Sequence, residues 1–120
     1  MIQLLEDLPK NVIGLEAVGK VTSDDYEQTI VPQIEEKQRE YDKVRLIYVL
    51  GPEYEGYTPG AMWDDSMLAF KRPGSWEKIA VVSDHEWLNR AIGAFSWMVP
   101  GEVKLFHDSE LDAARNWVSN

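Results

Sequence analysis

The sequence predicts an α/β domain built on a mostly parallel, five-stranded sheet, and three observations predict it. "VRLIYVLG" and "KIAVVSD" are continuous apolar runs, suited to strands covered on both faces. Each is followed by a stretch with helical spacing. Ahead of them "IQLLEDL" and "VIGLEAVGKV" alternate as strands do, joined through Pro9-Lys10-Asn11. A hairpin followed by repeated strand–helix units fits a parallel sheet with right-handed crossovers.

The hairpin comes first, antiparallel because its connection is short. In "TSDDYEQTIVPQIEEKQREYDK", Thr22 and Asp25 form a capping box, and acids gather where a helix dipole favours them. Tyr26, Ile30 and Ile34 recur every four residues and should face the sheet. Pro32 should kink this helix or set its first turn apart, because proline cannot donate to the carbonyl four residues back. "EEKQRE" reads as a solvated face. After the strand "VRLIYVLG" comes "YEGYTPGAMWDD", where Thr58 is an N-cap and Pro59 the first helical residue of a second long helix. The strand "KIAVVSD" leads to a third helix over "DHEWLNRAIGAFSWMV", capped by Asp84 or a neighbour. "EVKLFHD" is the last strand, and "SELDAARNWV" the last helix, with Ser109 and Asp112 as a second capping box.

The totals bound the function. The 120 residues suit one domain, and 44% apolar content with five tryptophans supplies its core. With no cysteine, disulfides, thiolate metal sites and a cysteine nucleophile are excluded, which agrees with a reducing compartment. No apolar run approaches the roughly 20 residues that cross a bilayer, and no signal pattern opens the chain. The expectation is a soluble cytoplasmic protein, peripheral at a membrane if it meets one. A net charge of −9, from 21 acidic and 12 basic side chains, repels phosphate backbones, so nucleic acid is not an expected partner.

Four runs carry a family resemblance: "TSDDYEQTIVPQIEE", "YEGYTPGAMWDD", "WEKIAVVSDHEWL" and "GEVKLFHDSELDAARNWV". With them the chain resembles the SpoIIAA-like family, a branch of the STAS/CRAL-TRIO-related α/β domains. The resemblance implies a single domain over 1–120 with βα units side by side and helices mainly on one face. It also implies kinship with anti-sigma-factor antagonists that are switched by phosphorylation of a serine at the start of the second helix. The chain departs there: "GYTPGA" has no such serine, and capping accounts for Thr58.

Candidate chemistry is sparse. No serine lies in a Gly-x-Ser-x-Gly elbow, and His85 and His107 have no metal-binding spacing. "SDHE" and "FHDS" end successive parallel strands, so Asp84, His85, His107 and Asp108 are expected to meet at the carboxyl edge, where open α/β sheets bind ligands. Helix capping by the two aspartates is the simpler reading. Asp64 and Asp65, adjacent on a helix, do not face each other and make a poor acid–base dyad. The sequence thus predicts no enzymatic activity, no metal and no cofactor.

Apolar surface is the stronger signal. In the third helix, Trp87, Leu88, Ala91, Ile92, Phe95, Met98 and Val99 share one arc, whereas Trp97 falls outside it, beside Arg90 and Gly93. In the second, Trp63, Met67 and Phe70 make one stripe, with Ala61 and Leu68 on another side. Gly56, Gly60 and Pro73-Gly74 are suitable hinges for a lid. The expected function is a non-enzymatic binding domain for a small apolar or amphipathic ligand, or a lipid surface, held between these helices by Trp63, Met67, Phe70 and Trp97. The alternative is a protein–protein regulatory module resembling the STAS antagonists without their phosphoserine. A homodimer through the exposed aromatics would also cover Trp97.

Overall fold

A run such as 44–50, with Arg45 as its one charged residue, is stable as a strand only where both of its faces are covered. The structure, a computed structural model, provides that cover; it describes residues 1–51, 54–57, 76–86, 90 and 101–120. The strands are β1 (Ile2–Leu4), β2 (Val12–Ala17), β3 (Gly19–Val21), β4 (Val44–Leu50), β5 (Tyr54–Tyr57), β6 (Trp76–Ser83) and β7 (Glu102–Phe106). The α-helices are α1 (Ser23–Asp25), α2 (Val31–Glu40) and α3 (Leu111–Ser119), and a π-helical stretch, Tyr26–Ile30, joins the first two.

The main sheet has five strands in the order β1-β2-β4-β6-β7. β1 runs antiparallel to β2, and each later neighbour is parallel. One row of register crosses the sheet through Leu15, Tyr48, Val81 and Leu105, and the next through Gly14, Ile47, Ala80 and Lys104. Alternation sends these rows to opposite faces. Leu15, Tyr48 and Val81 pack with Ile30 and Ile34 on one face. Ile47, Val49, Ala80, Val82 and Phe106 pack with Ala114 and Val118 of α3 on the other. The two longer described helices therefore take one face each; the helices expected over 59–71 and 84–99 lie outside the described residues apart from Asp84, His85, Glu86 and Arg90, of which Glu86 and Arg90 are helical. α3 follows the last strand, so no crossover rule fixes its side.

Local chemistry shapes each element. The Thr22–Asp25 capping box forms as expected: Thr22 N donates to Asp25 Oδ2 at 2.9 Å and Asp25 N to Thr22 Oγ1 at 3.2 Å. Pro32 acts by changing the helix type. It falls in the first turn of α2, directly after the π-helical stretch, where a missing N–H leaves no α-helical bond to break. Ile30 and Ile34 are buried as the spacing predicts; the Tyr26 side chain lies outside what is described.

Three details differ from the sequence reading. "VIGLEAVGKV" is not one strand: it breaks after Ala17, Gly19 adopts φ +68°, and β3 leaves to pair with β5 in a separate two-stranded parallel sheet. The approach "YEGY" is thereby a strand, which its glycine at φ +116° had concealed. At the C-terminal helix the start is not held by Ser109 and Asp112. A 3-10 turn, Asp108–Glu110, precedes α3, and His107 N donates to Glu110 Oε1 at 2.8 Å.

The far end of α3 is tied to the sheet by cations. Arg45 Nη1 donates to Val118 O at 2.9 Å and Lys78 Nζ to Trp117 O at 3.1 Å, satisfying carbonyls that a helix end leaves open. Lys78 also lies over the Trp117 ring, 5.1 Å from its centroid.

Candidate functional site

Parallel strands deliver their last residues to one edge, and β4, β6 and β7 deliver Gly51, Ser83-Asp84-His85 and His107-Asp108 there. The structure brings the aspartates and histidines of the last two strand ends together. Asp84 Oδ1 is the hub: His107 Nδ1 lies 3.0 Å away and Asp108 N donates to it at 3.2 Å. A carboxylate only accepts, so the His107 proton of this contact sits on Nδ1, leaving Nε2 as the acceptor in the neutral ring. The pair faces water, with 74% of the His107 side chain and 55% of Asp84 exposed.

His85 is held differently. Its backbone N–H donates to Ser83 Oγ at 3.0 Å, and its Nε2 makes a long contact of 3.4 Å with Gly51 O. A carbonyl cannot donate, which puts the proton of this ring on Nε2. The Tyr54 ring stands edge-on to it at 5.2 Å. Ser83, fully buried at the end of β6, and Tyr54, buried on β5, belong to this edge and were missed by the sequence reading. A serine closing an apolar run just before "DHE" was the available signal for the first; for Tyr54, the strand that carries it had to be known.

The two aspartates differ in charge environment. The His107 hydrogen bond, then the Asp108 N–H, hold the Asp84 carboxyl below its ordinary range. Burial, then the charge of Asp84, push Asp108 up, and His85 and His107 offset part of that. Among the described residues, Asp108 Oδ1 is buried without a hydrogen-bond partner. Asp84 thus locks the turn after β7.

The described contacts at this edge are hydrogen bonds within the chain. Ser83 Oγ is buried and accepts the His85 N–H. Among the described residues, no group of three or more His, Cys, Asp or Glu is arranged to hold a metal ion. Trp63, Met67, Phe70 and Trp97, with Thr58, Asp64 and Asp65, lie outside the described residues. Among the described residues, no helix is long and apolar enough to cross a membrane.

A family model described as SpoIIAA-like matches residues 12–119. Among solved structures, the crystal structure of an uncharacterized protein from Shewanella loihica with a SpoIIAA-like fold is similar, with a TM-score of 0.79 and 26% identity. That similarity covers 98% of this chain and 93% of that one. Among curated proteins there is no match.

Proposed function

The chain belongs to the SpoIIAA-like family, and from that premise we propose that it is a non-enzymatic binding domain for a small apolar or amphipathic ligand, or for a lipid surface. One sequence observation carries this reading: at helical spacing Trp63, Met67 and Phe70 would share one stripe and Ala61 and Leu68 another side, more apolar surface than a single core face uses. β5 leads directly into this stretch, and Tyr54 at its start packs against His85 of the carboxyl edge. The water-exposed Asp84–His107 pair favours recognition over catalysis, since proton transfer gains most in a dry, preorganised pocket.

Native mass spectrometry and vesicle flotation test the proposal. The protein should retain a bound small species or float with vesicles, preferring zwitterionic over anionic ones because of its charge of −9. Trp63→Ala and Phe70→Ala should each remove the effect while far-UV circular dichroism stays unchanged. A protein that carries nothing and floats with neither vesicle type sinks the reading.

Family membership also favours a second reading, a protein–protein regulatory module of the kind the STAS resemblance implies. A single cross-linked partner, lost in Trp97→Ala and indifferent to vesicles, would put this reading in place of the first.

A further inference from the structure

A strand at the end of a sheet presents unpaired N–H and C=O groups on its outer side, a template for another strand. The main sheet ends at β1 on one side and β7 on the other. β1 is only three residues long, short enough to be protected. β7, Glu102–Phe106, has no proline, and among the described residues nothing pairs with its outer side. Glu102, Lys104 and Leu105 are exposed, Leu105 at 37%.

We propose that β7 is a homodimerisation edge: two copies of this chain join their β7 strands antiparallel about a two-fold axis, with Val103 opposite Val103 of the second copy. The charge pattern selects this register. Centring on Val103 places Glu102 of each copy opposite Lys104 of the other, giving two cross-strand ion pairs. Centring one residue later would set Lys104 against Lys104, and like charges directly opposite are destabilising. Centring on Leu105 would leave Glu102 and Lys104 without each other. The same charges that would guard an isolated edge are thus complementary to their own copy. The result is one continuous sheet through both protomers, the self-complementary contact that two-fold symmetry requires. It uses neither the carboxyl edge nor residues 58–71, so it stands or falls apart from the proposed function.

Sedimentation velocity on the full chain across a concentration series tests it. The wild type should form a reversible dimer that weakens with added salt. Lys104→Glu and Glu102→Lys should each turn two attractive pairs into two repulsive ones and raise the dimer Kd roughly tenfold. The double reversal Glu102→Lys/Lys104→Glu should restore the dimer, an outcome that loss of the Lys104 contacts with Phe106 and Trp117 cannot mimic. Circular dichroism confirms that each variant is folded. A wild type that stays monomeric, single reversals without effect, or a double reversal that fails to recover would each overturn the proposal.

Discussion

Among the described glycines, Gly101 is the one whose backbone is crowded by the backbone of a neighbouring strand. A Cβ added there would lie 2.5 Å from Trp76 O and 2.9 Å from both Glu77 C and Glu77 O. Ordinary carbon contacts lie at about 3.5–4.0 Å, so the methyl group would overlap backbone atoms by roughly 0.6 Å or more. Those atoms belong to the start of β6, which pairs with β4 on its other side and carries the buried Trp76. β6 cannot retreat without moving Trp76 in the core, so β7 must give way. Overpacking against a fixed neighbour costs about 1–3 kcal/mol, and a backbone obstacle places Gly101→Ala toward the upper end. For 120 residues, an unfolding entropy of about 2.1 cal/mol/K per residue converts each kcal/mol into about 4 °C of Tm. The expected loss is therefore about 8–12 °C in a calorimetric or circular-dichroism melt. Gly51→Ala is the control, because among the described residues its added Cβ meets only Val49 Cγ1, at 4.0 Å. If the two variants melt together, the packing argument at the β6–β7 junction is wrong.

Thr22→Ala should cost about 1 kcal/mol in chemical denaturation by breaking the capping box. Burial raises the Asp25 carboxyl, but the Thr22 N–H and the Met1 ammonium outweigh it and leave the folded value lowered. The stability this group provides is therefore complete above the unfolded carboxylate range and is lost as pH falls through the folded value. Asp25→Asn should flatten the acid limb of the stability curve, and an unchanged limb would contradict the assignment. At the carboxyl edge, carbon-detected NMR titration of His107→Ala should show the Asp84 carboxyl rising toward its ordinary value. In Asp84→Asn the Asp108 carboxyl should fall, because burial persists and the neighbouring charge does not. Lys78→Met should cost about 1 kcal/mol in a melt, through the lost Trp117 carbonyl contact and ring contact, and should alter Trp117 fluorescence.

The central parallel strands were legible because cover on both faces leaves long apolar runs: "VRLIYVLG" and "KIAVVSD" mark β4 and β6 near their observed bounds. The Thr22–Asp25 cap was legible because its partners are three residues apart. The β3–β5 ribbon was not, since its partners are distant in sequence and its glycines sit at φ +68° and +116°, outside any alternation rule. At the carboxyl edge, strand ends gave the residue types but not their roles. That Asp84 serves the turn after β7 follows from the β6–β7 register, which aligns Val82 with Phe106 and so sets Asp84 beside His107. The last helix was misjudged at its start because a 3-10 turn moves the first regular turn past Ser109.

That register also gives the exposed Asp84 a structural task besides its contact with His107. An exposed ion pair alone contributes little to stability. Asp84 does more, because the same oxygen accepts a backbone N–H from Asp108 and so fixes the turn between β7 and α3. The turn is doubly determined, by Asp84 from the neighbouring strand and by Glu110 from its own third position. α3 is then secured at its other end by Arg45 and Lys78, which reach it from β4 and β6. Arg45, Lys78, Asp84 and Glu110 thus fasten one helix across the end of the sheet from both of its ends.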